Sequence, residues 1–341
     1  MDDLAQKIVD IIGTYRISSP AQIDSEHVLN WVSQFEVQDQ EFLLSELLHI
    51  LPKSYLSKEM VIEEFNDIFE YLRKFYKYNS IVEFLSHAKF LRCQDENKSQ
   101  TILLNFLNDI SVKEYGLSLE TNDKANIKHW LYIDDVLASG GTFKREISKE
   151  IGDYGLDKFK HDQISISPIF FFLHTWGMNV VKYAIKELFK IDLVFHRMFT
   201  IENDSRINYY NSSPAFNLAY PINDDNAVFE NYLNELTGEK HRNFAYRPKK
   251  YPEKEAFYSS KENRNRYESI VLTKGIEILS KVEYLSPPIR PLGLTYPSYQ
   301  TFGAGSHAFT WRNISNTCPL VYWWENHGWI PLFSVENRGG H

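Results

Sequence analysis

A chain of 341 residues is longer than one average domain and short enough for a single elaborated α/β core with additions. Hydrophobic residues at 43% and charged residues at 24% are the balance of a chain that buries a sizeable core, which excludes wholesale disorder. The formal net charge of -8 excludes a protein that grips nucleic acid by bulk electrostatics, which needs a concentrated Lys/Arg face; a local basic patch stays open.

Cys93 and Cys318 lie far apart, and neither belongs to a CxxC or Cys/His spacing, so a reducing compartment and no structural zinc are expected. The start, MDDLAQKIVDIIG, has neither the basic residues nor the unbroken apolar core of a signal peptide. The most apolar stretch, Ile164 to Leu173, falls short of the roughly 20 residues a membrane helix needs and is rich in strand formers. A cytoplasmic protein with no membrane partner is the expectation.

Along residues 1–80 apolar side chains recur at helical spacing, as in Ile62, Phe65, Phe69, Leu72 and Tyr76, which predicts an N-terminal helical unit without strands. Asp24-Ser25 and Ser57 mark helix starts, because their side-chain oxygens can accept from first-turn amides. From 81 to 201 the texture changes to apolar runs alternating with amphipathic helices: AKFLRC, SQTILLNFL, HWLYI, TFKREISKEI, QISISPIFFFL, NVVKYAIKELF, DLVFHRMF. That alternation predicts an α/β core built on a parallel sheet. Residues 202–341, rich in Pro, Asn, Tyr and Arg, with one clear helix at NRNRYESIVLTKGIEILSKV, read as a C-terminal α+β cap.

The chemistry concentrates in Leu131 to Phe143, LYIDDVLASGGTF. An apolar strand ends at Asp134 and Asp135, and after Val-Leu comes the small-residue turn Ala138-Ser139-Gly140-Gly141-Thr142 at the head of a helix. In open parallel sheets ligands sit outside the carboxyl ends of the strands, so this order points both acids and the turn into the binding crevice. The glycines allow close backbone approach, and first-turn amides with the Ser139 and Thr142 hydroxyls can surround a monophosphate. The carboxylates suit neighbouring sugar hydroxyls, which donate to them. A Walker loop is excluded by the missing Gly-Lys-Ser/Thr, and a dinucleotide fingerprint by the missing GxGxxG.

This run resembles the phosphoribosyl pyrophosphate (PRPP) motif of type I phosphoribosyltransferases, and the match covers its whole length. The resemblance implies a type I phosphoribosyltransferase-like α/β core, with catalytic Asp134 and Asp135 on the ribose 2′ and 3′ hydroxyls and Ala138 to Thr142 on the 5′-phosphate. Mg2+ would arrive on the pyrophosphate rather than in a protein cage. It also implies a pyrophosphate loop after an earlier strand, where Arg92, Lys98, Ser99 and Gln100 are the candidates; Lys98 is either such a contact or a solvated side chain. A further loop over about Ser111 to Lys128 offers Lys113, Lys124 and Lys128. At the next strand end, His174 and Trp176 either meet the group attached to C1 or pack in the core.

HVLNWVSQFE, NRNRYESIVLTKG and the tail from RPLGLTY to WIPLF resemble the phosphoribosyltransferase-like effectors of bacterial conflict systems, found in anti-phage loci including retrons. That resemblance implies a defence effector or toxin held in check by partners such as a reverse transcriptase and its noncoding RNA, with a base, nucleotide or nucleic acid as acceptor. The alternative is a non-catalytic module that senses PRPP or a nucleotide, or binds partners. In the tail, Trp311, Trp323, Trp324 and Trp329 serve either a cap that closes over a sugar or a rigid packed end. Arg264 and Glu268, four apart on a helix, make an ion pair or a site. Arg312, Asn313 and Asn316 are further acceptor candidates.

Overall fold

A computed structural model describes residues 1–16, 22–96, 98–120, 126–204, 206, 213–236, 244–294, 301–325 and 328–335. In chain order its first elements are α1 (Asp2–Ile12), α2 (Ser25–Val32), α3 (Val37–Ile50), β1 (Tyr55–Leu56), α4 (Lys58–Phe75), α5 (Ile81–Ser86), β2 (Ala88–Phe90) and α6 (Ser99–Tyr115). Next come β3 (His129–Leu137), α7 (Gly141–Tyr154), α8 (Leu156–His161), β4 (Ser165–His174), α9 (Thr175–Phe189) and β5 (His196–Ile201). The remainder are α10 (Ala227–Glu235), α11 (Lys261–Ser280), β6 (Ile289–Arg290), β7 (Gly293–Leu294) and β8 (Phe309–Thr310).

Two compact units result, one made of Met1–Lys58 with Ile201–His341 and the other of Glu59–Thr200. The segments that texture separates at about 80 and 201 therefore regroup. Residues 1–58 fold with 201–341, while α4 and α5 belong to the middle unit.

In the middle unit four strands form a sheet in the order β2-β3-β4-β5, with β2 and β4 both parallel to β3. This is the α/β class with a parallel sheet that the alternating texture predicts. Trp130, Leu131, Tyr132 and Ile133 of β3 are each at most 1% exposed, because helices cover both faces of the sheet. On one face Tyr132 meets Phe143 of α7 edge-on at 4.7 Å, and Ile147, Ile151, Val181 and Ile185 of α7 and α9 complete the core. On the other, Phe65 and Phe69 of α4 pack on Phe171 and Phe90 at 5.8 and 6.2 Å. The Tyr115 hydroxyl at the end of α6 donates to Asn66 of α4, so α6 shares that second face. Helices α6 and α7 thus leave β2 and β3 on opposite faces, which opens a crevice at the carboxyl ends of these two strands.

In the other unit Asp24 caps α2 by accepting from the His27 amide at 2.8 Å, as its position before the helix predicts. The Trp31 indole donates to the Val321 carbonyl at 2.8 Å and stacks on Tyr322, which ties the amino-terminal helices to the tail. Strand β1 pairs in parallel with β8. Two residues are too few for a periodic signal, so the strand-free reading of 1–80 missed it. Among the described residues no helix is long and apolar enough to cross a membrane.

Candidate functional site

Strand β3 does not end at the acid pair but runs through it to Leu137, because β4 is long enough to pair Asp134 with Phe170 and Val136 with Phe172. Successive side chains in a strand point to opposite faces. The two acids therefore leave β3 on opposite sides, Asp134 toward α7 and Asp135 toward α6, at the carboxyl end of the strand.

Asp134 lies on the α7 face, half-buried. Its Oδ1 accepts from the Asp135 amide at 2.8 Å and its Oδ2 from Gln94 Nε2 at 3.2 Å. The Tyr132 hydroxyl stands 3.5 Å from that same oxygen and donates to Glu146 Oε2 at 2.7 Å. Burial, and then the neighbouring Asp134 and Glu146 carboxylates, push the Tyr132 phenol far above its ordinary range, so it remains a donor. Asp135, 8% exposed, faces α6 and accepts on Oδ2 from the Ser99 hydroxyl at the first residue of that helix.

The turn beyond the acids is shaped by packing. Gly140 has φ of 76°, and a Cβ there would stand 2.1 Å from Cγ2 of Val181 in α9. Gly141 is exposed, with only Ser139 Oγ within reach of an added Cβ, at 3.6 Å. Ser139 Oγ accepts from the Gly141 amide at 3.4 Å. Helix α7 begins at Gly141 with no side-chain cap and no acid in its first turn, so its leading amides and the helix dipole favour an anion beside the exposed Thr142. Ala138 is pressed against α9, where a Cβ on Gly177 would lie 1.8 Å from the Ala138 carbonyl oxygen.

Of the loop candidates, Ser99 meets the acids directly. Gln100 is fully buried and accepts from the Cys93 amide at 3.0 Å, which holds the loop to α6. Burial, with Glu150 and Glu146 nearby, pushes the Cys93 thiol up to about 12, so it is no nucleophile at neutral pH. Lys98 is exposed at the N-cap of α6. Arg92 turns to Asn105 and Glu120, at 2.9 Å each. Among the later lysines, Lys113 pairs with Glu114, Lys128 donates to the Asp162 carbonyl, and Lys124 lies outside the described residues.

The acceptor candidates divide between the two units. His174 is fully buried at the end of β4, and burial lowers its pKa to about 3. Trp176 is 9% exposed. Both positions fit the packing reading. Arg264 and Glu268 belong to the other unit, are 0% exposed, and pair at 2.8 Å. Arg264 also donates to Glu255 and to the carbonyls of Phe216 and Leu218, while Glu268 accepts from Arg247. This is a buried ionic network whose groups serve the fold. Asn313 closes a turn with Thr310, beside half-buried Arg312, and the Asn316 carbonyl accepts from Leu294. Trp323 and Trp324 are 4% exposed, and the Trp323 indole donates to Cys318, as a packed end requires. Gln94 and Glu146 carry no sequence signal, Tyr132 reads in sequence only as part of the apolar strand, and Gly177 only as a glycine after a strand end.

A parallel sheet with an acid pair and an uncapped glycine turn at its carboxyl edge is the arrangement that the resemblance to phosphoribosyltransferases implies. The chain belongs to the PRTase-CE family, whose sequence profile matches residues 28–335. No curated protein and no solved structure matches it.

Proposed function

We propose that the chain is a PRPP-binding phosphoribosyltransferase acting as the effector of a bacterial anti-phage system. The observation that carries the chemistry is the convergence, in one unit, of Asp134, Asp135, Ser99 and the uncapped start of α7. The 5′-phosphate sits on the amides from Ser139 to Thr142, and the ribose hydroxyls donate to the two carboxylates. In transfer, the bond from C1 to pyrophosphate oxygen breaks with its electron pair leaving on pyrophosphate, and the acceptor's lone pair forms the new bond to C1. The carboxylates favour the positive charge that develops at C1 in between. A Mg2+ carried in by PRPP would sit on the pyrophosphate and would supply charge neutralisation for the leaving group, while Asp134 and Asp135 hold the ribose hydroxyls. The defence role rests on the resemblance that covers nearly the full chain, and its acceptor is a base, nucleotide or nucleic acid.

Calorimetry with PRPP and Mg2+, followed by a pyrophosphate-release assay with bases, nucleotides and nucleic acids, tests this. Asp134→Asn and Asp135→Asn are each expected to weaken PRPP binding at least about tenfold, the scale of one charge-assisted hydrogen bond. Binding without pyrophosphate release under any acceptor identifies a sensor instead, and no binding at millimolar PRPP overturns the reading.

A further inference from the structure

We infer that Gln94 and Ser99 are positioning residues that couple the pyrophosphate half of the site to its ribose half, an inference that rests on the PRPP reading above. Each acid of β3 accepts a hydrogen bond from the segment joining β2 to α6. Gln94 donates to Asp134 at 3.2 Å, and Ser99 donates to Asp135. Both donors are tied to the start of α6. The Gln94 carbonyl accepts from Thr101 at 3.0 Å, and the Cys93 amide donates to Gln100 at 3.0 Å, so the loop is fixed to the first turn of α6.

These contacts place two demands on the same atoms. A ribose hydroxyl that donates to Asp135 must share or replace Ser99 at a carboxylate that is only 8% exposed. Pyrophosphate held at the start of α6, beside Lys98, offers oxygens to the same Ser99 hydroxyl and draws it away from Asp135. Pyrophosphate therefore releases the acid for the ribose, and by linkage a bound ribose releases Ser99 for pyrophosphate. Gln94 holds the second carboxylate in register with that exchange. Neither the PRPP motif itself nor the acid pair requires this arrangement; it follows from residues that stand outside the motif.

The test titrates ribose 5-phosphate into the full chain by calorimetry, with and without saturating magnesium pyrophosphate. The ratio of the two dissociation constants is the coupling factor. It is expected to be at least about fivefold larger in the wild type than in Ser99→Ala, as loss of one hydrogen bond to a carboxylate implies. Ser99→Thr, which keeps the hydroxyl, restores it, and Gln94→Ala lowers it while thermal melts show all three variants folded. Ser99→Ala should also bind ribose 5-phosphate alone more tightly than the wild type, a gain that a merely structural role for Ser99 does not produce. Equal coupling factors in wild type and both alanine variants, with each half-ligand bound, overturn this inference and leave the PRPP reading standing. Failure of PRPP and of both half-ligands to bind overturns the two together.

Discussion

Adjacent glycines at 140 and 141 do different work. Gly140 holds a left-handed φ against Val181, so Gly140→Ala combines backbone strain with a steric clash and is expected to cost about 2 kcal/mol or more, read as a lowered urea midpoint. Gly141→Ala meets only Ser139 Oγ, at ordinary contact distance, and should change stability by less than about 1 kcal/mol. Its added methyl stands where a phosphate would approach the backbone, so PRPP affinity is expected to fall about tenfold in a protein that melts like the wild type. The same contrast governs the acids. Their identity is plain in the sequence, but alternation along β3 turns Asp134 toward Tyr132 and Asp135 toward Ser99. Strand length decides this, and strand length depends on pairing with β4.

At the scale of elements, α11 carries the group that the sequence left open. Four-residue spacing between Arg264 and Glu268 is legible as an ion pair or a site; that Glu255, Arg247 and the carbonyls of Phe216 and Leu218 converge on the pair is not, because these partners come from loops outside α11. Replacing Arg264 by Met takes the only cation from Glu255 among the ion pairs of the described residues and leaves Glu268 with Arg247 alone, in a dry interior. It is expected to lower unfolding free energy by about 3–5 kcal/mol in chemical denaturation, since breaking a buried pair leaves its partners uncompensated. A site role without structural weight would leave the midpoint unchanged. The helix after β4 shows the opposite case: α9 was legible, yet the need for Gly177, where Ala138 passes, appears only once two elements meet.

Across the molecule, three buried imidazoles set a dependence on pH. Burial lowers His129 to about 4, and His174 and His307 to about 3, from an ordinary 6.5; lysine and His87 add to the effect at His129, and Arg264 adds at His307. Between these values the unfolded chain binds protons that the folded one refuses. Stability is therefore complete above about pH 6.5 and is lost as pH falls toward 4, at up to about 1.4 kcal/mol per pH unit for each histidine. Urea midpoints should drop steadily from pH 7 to pH 5, and a flat profile would count against neutral burial of these rings.

By itself the sequence determined the α/β class, the order of strands and helices from β2 to β5, and the run of acid pair and glycine turn, because periodicity and turn chemistry are local properties of the chain. Only the tertiary structure decided that residues 1–58 fold with 201–341, that the acids flank their strand, and that Gln94 and Ser99 meet them. Those outcomes depend on which distant surfaces find each other. Trp31 donating to Val321 and Ser99 donating to Asp135 join positions whose spacing carries no period. The motif thus supplies the local chemistry, and the packing around it sets where each of its groups stands.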